Sequence, residues 1–159
     1  MNPVVDFDGI IRRVPMLVEH RGAYYESLSL AMVRAYRNYQ VVPGYPSDPV
    51  SSKETYGKME WFDLLSARGE PLRIPVDENV AALIPFRGYE KSFPYYSIAD
   101  VLADRIQPEL LKGRLVLIGT SAPGLRDQRA TPVGETYSGV EMHANMVAGM
   151  LEGSIKEKP

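Results

Sequence analysis

Gly113–Val140 reads GRLVLIGTSAPGLRDQRATPVGETYSGV, and the fold turns on how that stretch is interpreted. Leu115–Ile118 is an unbroken aliphatic run between Gly113 and Gly119. A short apolar run bounded by glycines predicts a strand buried on both faces, at the centre of a sheet. The connection that follows, Thr120–Tyr137, carries glycine and proline. Structureless connections beyond ~12–15 residues are uncommon in compact domains and are usually functional or disordered. Ser138-Gly139-Val140-Glu141 then has capping-box spacing, a hydroxyl over the open amides and a carboxylate reaching back. Val140, Ala144, Val147 and Leu151 recur at helical spacing and predict a helix with one apolar face. Helix N-termini favour anions, so this junction of connection and helix is the expected working surface.

Upstream, Asp6–Gly9 predicts a turn into a strand. Ile10–Val18 and Ala23–Tyr25, joined by Glu19-His20-Arg21-Gly22, predict a hairpin. Pro15 cannot donate to a ladder, which implies an edge strand or a bulge there. Ser27 caps a helix in which Leu28, Ala31, Met32, Ala35, Tyr36 and Tyr39 form an apolar stripe opposite Arg34 and Arg37. That stripe reads as a packing face, with a tyrosine-lined groove as the alternative. Val41–Gly57, rich in Pro, Ser and Gly, predicts a surface loop, and Met59–Leu65, holding the only tryptophan, Trp61, fits a helix or a strand. Pro71–Val76 and Val80–Arg87 around Asp77-Glu78-Asn79 predict a second hairpin. Ser97 caps a short helix with Ile98, Val101 and Leu102 on its apolar face and Asp100 in its first turn, and Pro108 opens a further turn. This order predicts an α/β or α+β fold, a mixed β-sheet with a central buried strand and helices packed on it, plus β-hairpins.

The chain of 159 residues is the size of one domain with a real core. A net charge of −2 with both signs scattered leaves no basic footprint for nucleic acid. With no cysteine there is no disulfide, thiolate metal site or cysteine nucleophile. The longest stretch free of charge, Leu115–Leu125, falls short of the ~18 apolar residues of a membrane span. The abrupt start, already turning at Asp6–Gly9, leads us to expect a piece of a longer protein.

Candidate chemistry gathers around the same junction. His143, one turn into the helix, is either a ligand-contacting or proton-switching group with Asp127, Thr131 and the helix amides, or an imidazole that orients the connection through a structural hydrogen bond. Arg126 and Arg129 flank Asp127 and either form ion pairs in the loop or hold an anion at the helix start. The candidate ligand-binding set is therefore Asp127, Arg129, Thr131, Glu141 and His143. Two histidines without a His-Glu-x-x-His spacing make a poor metal site, and no cofactor is expected. Gly119–Gly124 lacks the Lys-Ser/Thr ending of a phosphate loop, and no Gly-x-Ser-x-Gly elbow surrounds a serine that could act with His143 and Asp127.

Lys112–Thr120, Asp127, Thr131-Pro132 and Gly139-Val140-Glu141-Met142-His143-Ala144-Asn145 resemble the signature of CHASE2 domains. Asp6-x-Asp8-Gly9-Ile10-x-Arg12-Arg13-Val14-Pro15, Tyr25-x-Ser27-Leu28, Ile84-x-Phe86-Arg87-Gly88 and Phe93-x-x-Tyr96-Ser97 extend the likeness over nearly the whole chain. Ser138 departs from the proline the family usually places before Gly-Val-Glu. Gly113, Gly119, Pro132, Ser138, Gly139 and Asn145 are the structural positions of this motif. The resemblance implies a non-catalytic extracytoplasmic (periplasmic) sensor module of a bacterial membrane receptor, a single domain over 1–159. It also implies a missing N-terminal part, transmembrane helices after the domain, and an adenylate or guanylate cyclase, histidine kinase or Ser/Thr kinase output. The expected partners are a small-molecule or protein signal, the membrane through those adjacent helices, and a second copy in a homodimer. Two rivals are a small hydrolase-like enzyme using Asp127, Glu141 and His143, and a dimerisation spacer that senses nothing.

Overall fold

Residues 4–45, 59–66, 69–120 and 128–157 are described by the computed structural model of the chain. β1 (Val4–Val5) turns through Asp6–Gly9 into β2 (Ile11–Pro15), as expected. The Gly9 amide donates to the Asp6 carbonyl, and Arg12 bridges Asp6 and Asp8 across the turn. β3 (Leu17–His20) and β4 (Ala23–Glu26) form the expected first hairpin, with His20 opposite Ala23. Its two linking residues, Arg21 and Gly22, both have positive φ (53° and 79°). Two consecutive left-handed residues give the turn whose twist matches that of the strands.

Ser27 then caps α1 (Leu28–Arg37), its Oγ accepting from the Leu30 amide, and Asn38 ends the helix in the left-handed region. β5 (Gln40–Gly44), β6 (Trp61–Ser66) and β7 (Gly69–Pro75) make a three-stranded antiparallel sheet with β6 in the middle. Met59–Leu65 therefore resolves as strand, and the predicted Val41–Gly57 loop begins as one. β8 (Ala81–Leu83), α2 (Ile98–Leu102) and a 3-10 turn at Pro108–Leu110 follow. The chain closes with β9 (Gln128–Thr131), β10 (Gly134–Ser138) and α3 (Gly139–Glu152).

Helices with β-sheets and hairpins were expected and are present. The arrangement of strands differs. The described strands form four separate sheets, every pairing antiparallel, and not one mixed sheet. The supposed central strand is absent. Leu115–Ile118 adopts no strand, and Leu115, Val116 and Ile118 are 40%, 53% and 81% exposed. Aliphatic residues make a run suited to a strand, but a strand exists only where an edge lies alongside, and no described strand runs beside this one.

The second predicted hairpin is also not formed. β7 pairs with β6 and β8 with β2, so the chain changes sheets at Asp77–Val80. Asp77 organises that change by accepting from the Asn79 and Ala81 amides, and Val80 takes φ 57°. β2 is the middle strand of the order β1-β2-β8 and not an edge. The Arg12 carbonyl and Met16 amide bond toward the β8 side, so the donor missing at Pro15 faces the other way. There the β1 pairing reaches only Arg13 among the described residues.

α1 is rotated from the expected stripe. Ser29, Leu30 and Val33 are buried, Met32 and Tyr39 pack at the edge of the core, and Leu28, Ala35 and Tyr36 are exposed. α3 packs directly on α1, and Ser29 meets it on the buried side. On α3 the core residues are Met142, Met146, Val147 and Met150, while the predicted Val140, Ala144 and Leu151 are only partly covered. Gly153, at φ 64°, donates to the Met150 carbonyl, and Ser154 donates to that of Gly149, a Schellman ending. Phe62, Leu64 and Ile74 of the three-stranded sheet complete this core with Ile11, Val14, Leu30 and Val33.

Candidate functional site

The predicted unstructured connection Thr120–Tyr137 is in part a hairpin. β9 and β10 pair antiparallel, Tyr137 opposite Arg129 and Gly134 opposite Thr131, with Pro132 exposed at the turn. Thr131 is buried and its hydroxyl donates to the Gly134 carbonyl at 3.1 Å, closing that turn. Arg129 Nη1 reaches the Gln128 carbonyl at 3.4 Å. Asp127 lies outside the described residues.

The hairpin delivers Ser138 to the start of α3, but no capping box forms. Ser138 has the extended backbone of an N-cap, yet its side chain makes no capping bond and lies 2.9 Å from the Tyr95 hydroxyl. Glu141 does not reach back either. Its carboxylate, on a residue 2% exposed, accepts from the Lys91 amide (2.9 Å), the Ser92 amide (2.8 Å), Ser92 Oγ (3.0 Å) and Tyr95 O–H (2.9 Å). Tyr95 O–H is thereby committed to Glu141, and Ser138 Oγ–H donates to Tyr95 in turn. A buried carboxylate survives only where its lone pairs are filled, and here neutral donors fill them, assisted by the positive end of α3. Burial, reinforced by Glu141, pushes the Tyr95 phenol up to about 12 against the opposing Ser138 bond.

One turn along, Asn145 is fully buried and bonds in three directions. Its Nδ2 donates to Tyr137 O–H (2.8 Å) and to the Glu141 carbonyl (2.9 Å), and its Oδ1 accepts from the Arg87 amide (3.0 Å). Tyr137, itself buried, packs edge-on against Phe86 at 5.3 Å, and burial raises its phenol pKa. Arg87 also pairs with Glu152 at the far end of the helix. Glu141 and Asn145, four residues apart, thus form one polar stripe that straps residues 87–95 along α3.

His143 points elsewhere. Its Nδ1 lies 2.8 Å from Ser29 Oγ, across the contact between α3 and α1. Two residues apart on a helix means roughly 200° of rotation, so Glu141 and His143 cannot meet. The structure therefore separates the predicted set three ways: Glu141 to the 91–95 segment, His143 to α1, and Arg129 and Thr131 to the hairpin. Of the predicted structural positions, Gly113 takes φ 71° and Gly119 abuts α3, where an added Cβ would come within 2.6 Å of Val140 Cβ. Gly139 is the first residue of α3. Sequence reasoning gave no role to Ser29, Ser92, Tyr95 and Tyr137, and it placed Arg87 only within the family resemblance. The resemblance passed within a residue of two of them at Phe93-x-x-Tyr96-Ser97, but no spacing rule links residue 95 to residue 141.

The CHASE2 domain family model matches residues 1–159. The chain belongs to the CHASE2 family. CHASE2 domains are extracellular sensory domains and are not catalytic. No curated protein and no solved structure matches this CHASE2 chain. The geometry agrees with a non-catalytic module, because every oxygen of Glu141 is already engaged and its bonded neighbours hide it from solvent. An acid–base pair of Glu141 and His143 has no common face to work on. Among the described residues no three His, Asp or Glu side chains cluster to hold a metal, and no helix is long and apolar enough to cross a membrane. The CHASE2 domain also has a cleft of about 240 Å³ beside Arg13, Trp61, Arg73 and Asp77, lined by none of the predicted set. Its arginines are matched already: Arg13 by Asp6 and Asp77, Arg73 by Asp63, with Arg73 also stacked on Trp61 at 4.3 Å.

Proposed function

We propose that this domain is the periplasmic sensory module of a bacterial membrane receptor and that α3 is its transmitting element. The observation that carries the reading is the way α3 ties three separate segments together through polar groups. Glu141 and Asn145 hold residues 87–95, Asn145 also holds Tyr137 of the hairpin, and His143 meets Ser29 of α1. Polar ties of this kind have two arrangements, made or broken, which suits a helix that must shift between states. A small molecule or a protein segment bound at the hairpin, by Asp127, Arg129 and Thr131, biases the helix in proportion to its differential affinity for the two states. The output is a cyclase, a histidine kinase or a Ser/Thr kinase beyond adjoining membrane helices, within a homodimer.

A ligand screen by thermal shift tests this reading. A ligand that raises the melting temperature of the wild type should lose that effect in Asp127→Ala and Arg129→Ala. In the whole receptor, Glu141→Gln should change basal output without abolishing ligand binding. Ligands that bind both hairpin variants as tightly as wild type, or output indifferent to Glu141→Gln, would sink it.

A further inference from the structure

The cleft beside Arg13 and Trp61 is built from three parts of the chain. β2 and β8 give it Arg13, Ala81 and Leu83, the β5–β7 sheet gives it Trp61, Arg73 and Pro75, and the segment leaving α3 gives it Lys156 and Glu157. With Glu60 and Asp77 the lining carries three cations and three carboxylates, so a simple anion would meet as much repulsion as attraction. Half of these charges are committed. Asp77 holds Arg13 and also accepts from the Asn79 and Ala81 amides, and Asp63 holds Arg73. Among the described residues Glu60 and Lys156 enter no ion pair, with each other or with any other group. Both are nonetheless fixed in place. The Glu60 amide donates to the Gly44 carbonyl at 3.1 Å and its carbonyl accepts from the Val76 amide at 2.8 Å. Ile155, next to Lys156, packs at the edge of the core. An anchored carboxylate and an anchored ammonium thus share one cleft with the apolar Pro75, Val76 and Leu83.

We propose that this cleft binds a small zwitterion with an aliphatic side chain, a free α-amino acid, whose carboxylate meets Lys156 and whose ammonium meets Glu60. A ligand with both charges satisfies both groups and sets neither against a like charge. The volume of about 240 Å³ lies below the ~300–1,000 Å³ of pockets for drug-sized ligands, which suits an amino acid and excludes a nucleotide. Lys156 lies just past Gly153, where α3 ends, so a ligand here ties the exit of α3 to both neighbouring sheets. Differential affinity for two positions of that exit would bias the helix. The site shares no residue with Asp127, Arg129 and Thr131 and does not rest on ligand binding at the hairpin.

Isothermal titration of the 159-residue chain with glycine, L-alanine, L-valine and L-leucine should show one saturable site that tightens as apolar surface is added. N-acetyl-L-valine, without the ammonium, and L-valinamide, without the carboxylate, should each bind at least about 10-fold more weakly than L-valine. Lys156→Gln and Glu60→Gln should weaken L-valine by a similar factor with an unchanged thermal melt, while Arg129→Ala binds it as the wild type does. Saturating L-valine should also slow hydrogen exchange at residues 154–157. Ligands of the hairpin are those whose binding Lys156→Gln leaves intact, so the two sites can fail separately. No saturable binding by any of the four amino acids up to ~10 mM overturns the proposal. So does a single-charge analogue that binds as tightly as L-valine, or an affinity indifferent to Lys156→Gln and Glu60→Gln. Binding lost in Arg129→Ala assigns the amino acid to the hairpin and likewise overturns it.

Discussion

The core side of the molecule and the 85–130 arm contain similar aliphatic residues and hold their shape by different means. On the core side, α1, α3 and the β5–β7 sheet bury Leu30, Val33, Phe62, Leu64, Ile74 and Met146 against one another. In the arm no described residue is buried, and beside the packing of Phe86 on Tyr137 and of Gly119 on Val140 its docking to α3 runs through Glu141, Asn145 and the amides of Arg87, Lys91 and Ser92. The difference teaches that apolar composition does not by itself create a core. The core side is stabilised by apolar area removed from water, and the arm by directional bonds that can be broken one at a time.

The largest effect expected from this contrast is on the core side. Met146→Ala should cost about 2–5 kcal/mol through lost burial and the cavity left behind, whereas Ile118→Ala should stay within about 0.5 kcal/mol, both read from urea denaturation of the monomer. Equal effects would erase the distinction.

Next comes the strap itself. Glu141→Gln replaces a carboxylate oxygen by an NH2 that must face two of the four donors, an amide and a hydroxyl, and it should cost about 1–3 kcal/mol. Hydrogen exchange should then accelerate at Lys91 and Ser92 while amides of β6 stay protected. Uniform acceleration would mean that arm and core unfold as one unit.

A smaller effect is expected at the α1–α3 contact, where Ser29→Ala removes one hydrogen bond to His143 on the partly buried side of the helix pair. About 0.5–1.5 kcal/mol should be lost, with exchange in 87–95 unchanged. A change there would show that the two faces of α3 are coupled.

The least effect is expected from pH. The Tyr95 phenol is raised from 10.0 to about 12 in the folded chain, so the folded state holds its proton more tightly than the unfolded one. Its contribution is complete below about pH 10 and is lost as pH rises toward 12. Tyr95→Phe should flatten stability over that interval, leaving a residual slope from Tyr137, which shifts in the same direction. A wild-type curve no steeper than the variant's would remove Tyr95 from the latch. At the other end, hydrogen bonds from Arg13 and Arg12 hold the Asp6 carboxyl below its usual 3.8. Stability tied to that turn is present above that value and fades as acid titrates the folded carboxylate.

Local chemistry was legible wherever neighbours in sequence are neighbours in space. The turn at Asp6–Gly9, the first hairpin, the Ser27 and Ser97 caps and the two long helices follow from residues within a few positions of each other. Faces were less legible. α1 has apolar residues on two sides, and the side turned inward is the one that packs Leu30 and Val33 into the core and brings Ser29 to His143 of α3, residues 114 positions apart. Ser138 and Glu141 have the spacing of a capping box, but Tyr95 and the 91–92 amides outbid the local partners because their bonds also satisfy a buried charge.

By itself the sequence determined membership of a family, the positions of helices, caps and turns, and the placing of unusual chemistry around Ser138–Asn145. Only the tertiary structure decided that three of the four aliphatics after Arg114, Leu115, Val116 and Ile118, stay exposed, that Glu141 and His143 serve opposite sides of α3, and that the described strands pair in four separate sheets. The physical reason is that propensity and spacing are properties of a short segment, whereas burial and pairing need a second surface. Which surface arrives is set by the whole chain.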